Sequence, residues 1–169
     1  STSTLSSPKV EKFKSGKPIV FYGTSITQGG CASRPGMTYS NILGRWFDCE
    51  AINLGFSGNA RMDRSMLEAI KRIDAQKYVI NCLPNCTQDI IRDSAYHFMS
   101  TLAKERPEVT IYMVENAEFT DRHINQRTAK DLVEKNRMWS DLYKQLRKEG
   151  YKNLRYIPSE GYVGTDDEH

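Results

Sequence analysis

Five short apolar segments that alternate with longer amphipathic segments constrain the fold of this chain more than any other feature. We predict strands at 18–23, 50–54, 77–82, 109–115 and 153–157, and helices at 38–48, 62–74, 88–105 and 125–149. Parallel strands need crossover connections of roughly ten residues or more, and helices of this kind usually supply them. The alternation therefore predicts a parallel sheet of about five strands with helices on both faces.

The two longest predicted helices carry apolar stripes that we assign to the core. In helix 125–149 the stripe consists of Leu132, Met138, Trp139, Leu142, Tyr143 and Leu146, and in helix 88–105 of Ile91, Ala95, Phe98 and Leu102. This helical spacing predicts one buried face on each helix. Gly150 marks the end of the longer helix.

The first predicted strand leads directly into a serine among glycines, in Pro18-Ile-Val-Phe-Tyr-Gly-Thr-Ser-Ile-Thr-Gln-Gly-Gly30. Ligands of open α/β sheets gather at the carboxyl ends of the strands, where Ser25 stands. Gly23, Gly29 and Gly30 permit a sharp turn and the close approach of a substrate. The pattern makes Ser25 a candidate nucleophile, and an ordinary turn between a strand and a helix is the alternative.

Two further predicted strands also end in glycine or in polar residues. They are Asn53-Leu-Gly-Phe-Ser-Gly58 and Tyr78-Val-Ile-Asn-Cys-Leu-Pro-Asn85. With the serine segment and the following Cys31-Ala-Ser-Arg-Pro-Gly36, they resemble the first three sequence blocks of the SGNH (GDSL-like) hydrolases. The resemblance is to the subgroup whose serine block contains Gly-Thr-Ser, and it spans about residues 17 to 165.

The resemblance implies a role for one residue of each block. It makes Ser25 the nucleophile, and it assigns the oxyanion hole to the backbone N–H groups of Ser25 and Gly58 and the side-chain amide of Asn85. Such a reaction needs a base to activate the serine hydroxyl and fixed donors for the negative charge of the tetrahedral intermediate. From the residues alone, Asn85 is alternatively a helix cap near Thr87, and Gly58 a turn glycine.

The resemblance also implies a fourth block, Asp-x-x-His, whose histidine is the general base. Asp166 and His169 have this spacing. Residues 157–168, however, resemble the acidic loop that precedes the block in relatives, and a base must be held within hydrogen-bond reach of the nucleophile. We therefore expect the catalytic pair to lie beyond this chain, as if the domain were truncated, with Asp166 and His169 as the alternative pair.

The two other histidines are weaker candidates for the base. His97 falls within the predicted helix 88–105, where we expect a surface or half-buried position. His123 follows the strand 109–115 in a polar loop that also contains Glu115, Asn116 and Glu118. That loop lies at the carboxyl end of a strand and is placed to contact substrate, with a solvated loop as the alternative.

The four cysteines do not form a recognisable metal site or disulfide framework. Cys82 and Cys86 form one C-x3-C pair, but no second pair or neighbouring histidine completes the usual zinc spacing. We expect the cysteines to be free thiols and the chain to bind no metal. We place Cys82 in the core, and Cys31 and Cys86 near Ser25, where they would line a pocket. A cysteine nucleophile is the weaker alternative to Ser25.

Size and charge limit the classes of partner. At 169 residues the chain can form one domain with a sizeable core. Its net charge of +3 is modest and its basic residues are scattered, which does not favour nucleic acid. No run of 18 apolar residues that could span a membrane occurs, so we expect a soluble chain.

The chain divides into a short lead and one domain. Ser1 to Pro8 is polar and of low complexity and has no signal-peptide pattern. We assign 1–16 as a linker or lead segment and 17–169 as the hydrolase-like domain. In the subgroup that the chain resembles, this domain often follows a smaller β-rich domain, so a further N-terminal domain is possible.

Together these patterns predict a three-layer α/β/α sandwich of flavodoxin-like topology. The resemblance implies a serine esterase without cofactor that acts through an acyl-serine intermediate in a periplasmic or secreted setting. Short acyl groups on carbohydrates are expected, because no long apolar segment could shelter a fatty chain. The alternative is a non-catalytic module that binds carbohydrate or another small ligand. The serine segment does not fit a phosphate-binding P-loop, because the required Gly-Lys-Ser/Thr is absent. A flavin site of the flavodoxin type is suggested only by the predicted fold and by no residue motif.

Overall fold

A parallel sheet of five strands forms the centre of the part of the chain that the structure describes. The structure is a computed structural model, and it describes residues 12–117 and 126–162. The strands are β1 Ile19–Gly23, β2 Ala51–Gly55, β3 Lys77–Asn81, β4 Thr110–Val114 and β5 Leu154–Ile157. Their order is β2-β1-β3-β4-β5, and every neighbouring pair is parallel.

Helices connect the strands, and all of them except α1 lie within or close to the predicted ranges. They are α1 Ser25–Gln28, α2 Tyr39–Phe47, α3 Arg64–Ile70, α4 Gln88–Ile90, a π-helical turn Ile91–Ala95, α5 Tyr96–Glu105 and α6 Gln126–Lys148. Two 3₁₀ turns, Pro35–Met37 and Leu83–Asn85, lie in the loops. The predicted helix 88–105 thus contains a π-helical turn, and α1 was not predicted because four residues show no periodicity.

Helix α3 is shorter than the predicted 62–74. Met62 has a φ of 58°, in the left-handed region, and Asp63 is extended, so the helix begins only at Arg64. The Met62 conformation is anchored by its N–H, which donates to the Tyr22 hydroxyl at 3.1 Å.

Successive residues of a strand point alternately to the two faces of the sheet, and each face is covered by a layer of helices. Val20 and Tyr22, together with Ile80 on β3, belong to the main core, which α3, α5 and α6 complete. Ile19 and Phe21 point to the opposite face, where α2 packs with Leu43. The arrangement is the predicted three-layer α/β/α sandwich.

The predicted stripe of helix 88–105 is buried, whereas that of α6 is buried at Leu132, Trp139 and Leu146 and half-buried at Met138, Leu142 and Tyr143. Ile91, Ala95, Phe98 and Leu102 are at most 4% exposed, and Trp139 of α6 is fully buried. Gly150 follows the end of α6 with a φ of 103°, and its N–H donates to Arg147 O at 3.2 Å, as in a glycine C-cap. None of the helices within the described ranges has the length and apolar character that crossing a membrane requires.

Candidate active site

The carboxyl ends of three neighbouring strands lie side by side and bring three loops together. Gly23 at the end of β1 is in register with Gly55 of β2 and with Asn81 of β3. The Phe56 N–H donates to Gly23 O at 2.8 Å and joins the first two loops directly. The segments that contain Ser25, Gly58 and Asn85 therefore start from one edge of the sheet.

Ser25 opens the short helix α1 immediately after β1. The Thr24 side chain caps this helix by accepting a hydrogen bond from Ile26 N–H at 3.3 Å. Ser25 is half-buried. Within residues 12–117 and 126–162, no group makes a hydrogen bond with its Oγ, so the hydroxyl is open to a substrate.

Two glycines allow α1 to lie directly on the strand ends. A Cβ on Gly55 would stand 2.1 Å from Gln28 N and 2.5 Å from Gln28 Cα. A Cβ on Gly23 would stand 2.0 Å from Thr27 Oγ1 and 2.6 Å from Asn81 O. Larger residues at either position would push α1, and with it Ser25, away from the sheet.

Gly58 occupies the third position of an exposed turn in the loop after β2. The Asn59 N–H donates to Phe56 O at 3.1 Å, and Gly58 has a φ of 68°. Nothing lies within 4 Å of a Cβ built on Gly58, so its backbone angle rather than crowding favours glycine. In the described part of the chain the Gly58 N–H has no acceptor and can donate to a ligand.

Asn85 lies at the end of the 3₁₀ turn that follows β3, and its amide has a defined orientation. Its Oδ1 accepts a hydrogen bond from Ala60 N–H at 3.3 Å. A backbone N–H can only donate, so the atom that faces it must be the amide oxygen. Among the described residues nothing accepts from the NH₂ group of Asn85, which can therefore donate to a ligand. The cap of α4 is Thr87, whose side chain accepts from Ile90 N–H at 3.2 Å, and not Asn85.

Two residues that sequence reasoning did not select hold these loops in place. Asn53 Nδ2 donates to Thr27 O at 2.6 Å and to Ser40 Oγ at 3.0 Å, and its Oδ1 accepts from Gly55 N–H. The Tyr39 hydroxyl is 2.9 Å from Thr27 Oγ1. Burial raises the pKa of Tyr39 above its ordinary value. The only sequence signal was the position of Asn53 within the second block.

A cavity of about 310 Å³ opens beside Ser25. Its walls are mainly apolar and include Ile26, Gly30, Cys31, Met37 and Tyr39. Cys31 was predicted to line such a pocket, and it is exposed there as a free thiol.

The prediction that Cys86 lines the same pocket is wrong, because Cys86 is not among the residues that line the cavity beside Ser25. It is buried, and its thiol contacts Ala60 O at 3.6 Å and Cys82 O at 3.3 Å, so it supports the loop that carries Gly58. Cys82 is buried in the core at the end of β3, as predicted. A hydrogen bond with Cys86 and burial raise the pKa of the Cys82 thiol.

Of the three histidines in the sequence, the structure describes His97. It is exposed on α5 and lines a separate polar cavity of about 290 Å³ with Arg61, Asp63 and Asp93. Ser25 is not part of that cavity. His123 and the pair Asp166 and His169 lie outside the described residues.

The loop after β5 is fastened to the end of β4. The Glu115 carboxylate accepts hydrogen bonds from Ser159 N–H at 2.8 Å, from Ser159 Oγ at 2.9 Å and from the Tyr156 hydroxyl. Burial, with the charge of Glu115 and the nearby Tyr39, raises the pKa of Tyr162 to about 12.

The donor groups of a metal site are not gathered in the described ranges. There, no three His, Cys, Asp or Glu side chains approach one another closely enough to bind an ion together. The loops that carry Ser25, Gly58 and Asn85 instead contain a hydroxyl, backbone N–H groups and an amide NH₂. Such groups can stabilise an oxyanion without a metal.

Comparison with known sequences and structures agrees with this geometry. The sequence model of the GDSL-like lipase/acylhydrolase family matches residues 16–169. No curated protein matches the chain.

The solved structures that are similar to this chain include the following three. A GDSL-like lipase from Bacteroides ovatus is 34% identical, with a TM-score of 0.88 over 94% of this chain and 47% of its own. Salicylyl-acyltransferase SsfX3 from a tetracycline biosynthetic pathway is 16% identical, with a TM-score of 0.74 over 96% of this chain and 47% of its own. A family two carbohydrate esterase from Clostridium thermocellum is 14% identical, with a TM-score of 0.61 over 91% and 56%. The chain thus spans about half the length of these proteins.

Proposed function

The chain belongs to the GDSL-like lipase/acylhydrolase family, and on this premise we propose that it is a serine esterase that cleaves short acyl esters of carbohydrates. The reaction needs no metal or organic cofactor, because acyl transfer to a serine requires only a base and hydrogen-bond donors.

In this proposal Ser25 Oγ attacks the carbonyl carbon of the ester while a histidine base takes the hydroxyl proton. The carbonyl oxygen becomes an oxyanion that accepts hydrogen bonds from Ser25 N–H, Gly58 N–H and the Asn85 amide. Collapse of this intermediate breaks the ester bond, and the base returns the proton to the leaving alcohol. Water then attacks the acyl-serine by the same steps and releases the acid.

One observation carries the proposal: the Asn85 amide is oriented, and its NH₂ group has no acceptor in the part of the chain that the structure describes. The Ala60 N–H occupies the oxygen side of the amide, and Asn85 stands on the loop next to that of Ser25. A donor that is oriented before the substrate binds costs no reorganisation during the reaction, which is the property expected of an oxyanion-hole residue.

The general base of the proposal comes from the segment that follows β5. His97 lines a different cavity from that beside Ser25, and the sequence that resembles the fourth block, Asp-x-x-His, follows β5. The Asp166 and His169 pair belongs to this segment and is the candidate that mutagenesis can test.

Carbohydrate esters are proposed as the substrate class on the strength of fold similarity. The Clostridium thermocellum neighbour is named a carbohydrate esterase, and its structure contains cellohexaose.

We propose that the N-terminal residues 1–16 connect this domain to a further domain. We also propose a periplasmic or secreted location for the protein.

The first experiment compares the hydrolysis of p-nitrophenyl acetate by the wild type, Ser25→Ala and Ser65→Ala at neutral pH. Ser65 is an exposed serine of α3 and serves as the matched control. We expect Ser25→Ala to lower the rate to background and Ser65→Ala to retain full activity. His169→Gln and Asp166→Asn, measured in parallel, show whether this pair supplies the base.

A wild type no faster than Ser25→Ala would contradict esterase activity of this chain. Binding of sugars by such a protein, measured by calorimetry, would support the alternative function, a non-catalytic carbohydrate-binding module on the same fold.

A further inference from the structure

The cavity beside Ser25 has the surface chemistry of an acyl pocket rather than of a sugar subsite. Its walls are mainly apolar and include Ile26, Ala32 and Met37. Hydroxyl groups buried against such walls would lose their hydrogen bonds to water without replacement, which is costly. The apolar acyl part of an ester loses nothing there and gains from burial. The polar alcohol part is better placed outside the cavity.

The size of the cavity restricts the acyl group to a short chain. A volume of about 310 Å³ is at the lower end of the range for small-molecule sites. The cavity must also accommodate the carbonyl carbon next to Ser25 Oγ. A long fatty chain would therefore extend into solvent.

Gly30 leaves space open directly beside the nucleophile. A Cβ at this position would stand 3.8 Å from Ser25 Cβ and 3.5 Å from Ser25 O, which are ordinary contact distances. Gly30 does not have a left-handed φ, so its backbone does not demand glycine. Gly29 differs, because its φ is 91° and a Cβ there would stand 2.2 Å from Thr38 Cγ2. Gly30 lines the cavity, so we expect that a side chain at position 30 can be added without strain and takes up part of the space beside Ser25.

We propose that this cavity holds the acyl group and that the absence of a side chain at Gly30 determines the longest acyl chain accepted. This inference rests on the proposed esterase function and adds to it the identity of the acyl pocket and its size-determining residue.

The test measures kcat/KM for p-nitrophenyl acetate and p-nitrophenyl butanoate with the wild type, Gly30→Ala and Gly30→Val. The leaving group is constant, so only the acyl chain varies. We expect Gly30→Val to lower the butanoate-to-acetate ratio by about tenfold or more, and Gly30→Ala to have a smaller effect. Gly16→Val is the matched control, because nothing lies within 4 Å of a Cβ at Gly16. An unchanged ratio in Gly30→Val would overturn the proposal.

Labelling of Cys31 provides a second readout that does not depend on catalysis. Cys31 lines the cavity and is exposed, whereas Cys49, Cys82 and Cys86 are at most 1% exposed. Its thiolate attacks the sulfenyl sulfur of an alkyl methanethiosulfonate, which forms a mixed disulfide and releases methanesulfinate. Mass spectrometry then gives the labelling rate for methyl and butyl reagents.

We expect Gly30→Val to slow butyl labelling relative to methyl labelling by about tenfold, and Gly16→Val to leave the ratio unchanged. If the wild type hydrolyses no ester, the proposed function fails and this ratio alone decides the proposal about the cavity. A butyl-to-methyl ratio that Gly30→Val does not change would then refute it.

Discussion

At the scale of single residues, the orientation of the Asn85 amide has the clearest consequence for activity. Asn85→Asp keeps an acceptor for Ala60 N–H but replaces the free NH₂ group with an oxygen. We expect kcat for p-nitrophenyl acetate to fall by about two to three orders of magnitude, the usual cost of losing one oxyanion donor. Steady-state kinetics of the variant beside the wild type measure this.

A purely structural Asn85 would give a different result. Asn85→Asp would then keep the Ala60 contact and most of the activity, while Asn85→Leu would lose both. Thermal unfolding of the two variants shows whether the fold is retained, and an active Asn85→Asp enzyme would remove Asn85 from the oxyanion hole.

Sequence reasoning selected Ser25, Gly58 and Asn85 because each stands in a recognisable block at the end of a predicted strand. Their roles stay predictions, but the structure does place their three loops along one edge of the sheet. Sequence reasoning could not select Asn53 or Tyr39. Each of them acts through a hydrogen bond to Thr27, from 26 and 12 residues away in the chain, and no local pattern encodes such a contact.

At the scale of elements, the contact between α1 and β2 depends on Gly55. Gly55→Ala would place its Cβ 2.1 Å from Gln28 N, a backbone atom that cannot rotate away. We expect the free energy of unfolding to fall by about 1–3 kcal/mol and esterase activity to fall as well, because Ser25 moves with α1. Urea unfolding and p-nitrophenyl acetate kinetics measure the two effects.

Gly16→Ala is the matched control for this substitution. A Cβ at Gly16 would have open space around it, and Gly16 has no left-handed φ. We therefore expect the free energy of unfolding of Gly16→Ala to differ from that of the wild type by less than about 0.5 kcal/mol. Equal stability of Gly55→Ala and Gly16→Ala would show that α1 tolerates displacement from the sheet.

Elements with several turns or a full buried strand were predictable, because their periodicity is local. The five strands and the helices α2, α3, α5 and α6 lie where the apolar spacing indicated. The short helix α1, the π-helical turn and the late start of α3 were not predictable. They depend on a close approach to Gly55, on packing of Ile91–Ala95 and on the Tyr22 bond to Met62 N–H.

At the scale of the whole molecule, buried tyrosines make stability depend on alkaline pH. Burial raises the pKa of Tyr22 and of Tyr78 above the ordinary value of 10.0. Above pH 10 the unfolded chain therefore loses tyrosine protons that the folded chain retains, and the folded state loses stability as pH rises. Urea unfolding between pH 8 and pH 11 should show a decline that begins near pH 9.0, where the unfolded chain loses thiol protons that the buried Cys49 and Cys82 retain, and that steepens above pH 10 with the tyrosines.

The variant Tyr22→Phe tests whether the Tyr22 hydroxyl contributes to this loss of stability at alkaline pH. The variant loses the hydroxyl that accepts from Met62 N–H, so we expect it to be less stable at pH 8 by about 1–3 kcal/mol. Its decline above pH 10 should be shallower than that of the wild type. A decline equally steep in both proteins would show that Tyr22 does not contribute.

The sequence by itself determined the three-layer fold, the order of its elements and the position of Ser25 at the carboxyl end of a strand. These follow from apolar spacing and glycine placement within short stretches of chain. Only the tertiary structure decided the orientation of the Asn85 amide, the close contact of α1 with the strand ends and the size of the cavity beside Ser25. The physical reason is that these depend on atoms brought together from distant positions, such as Asn85 and Ala60, which are 25 residues apart.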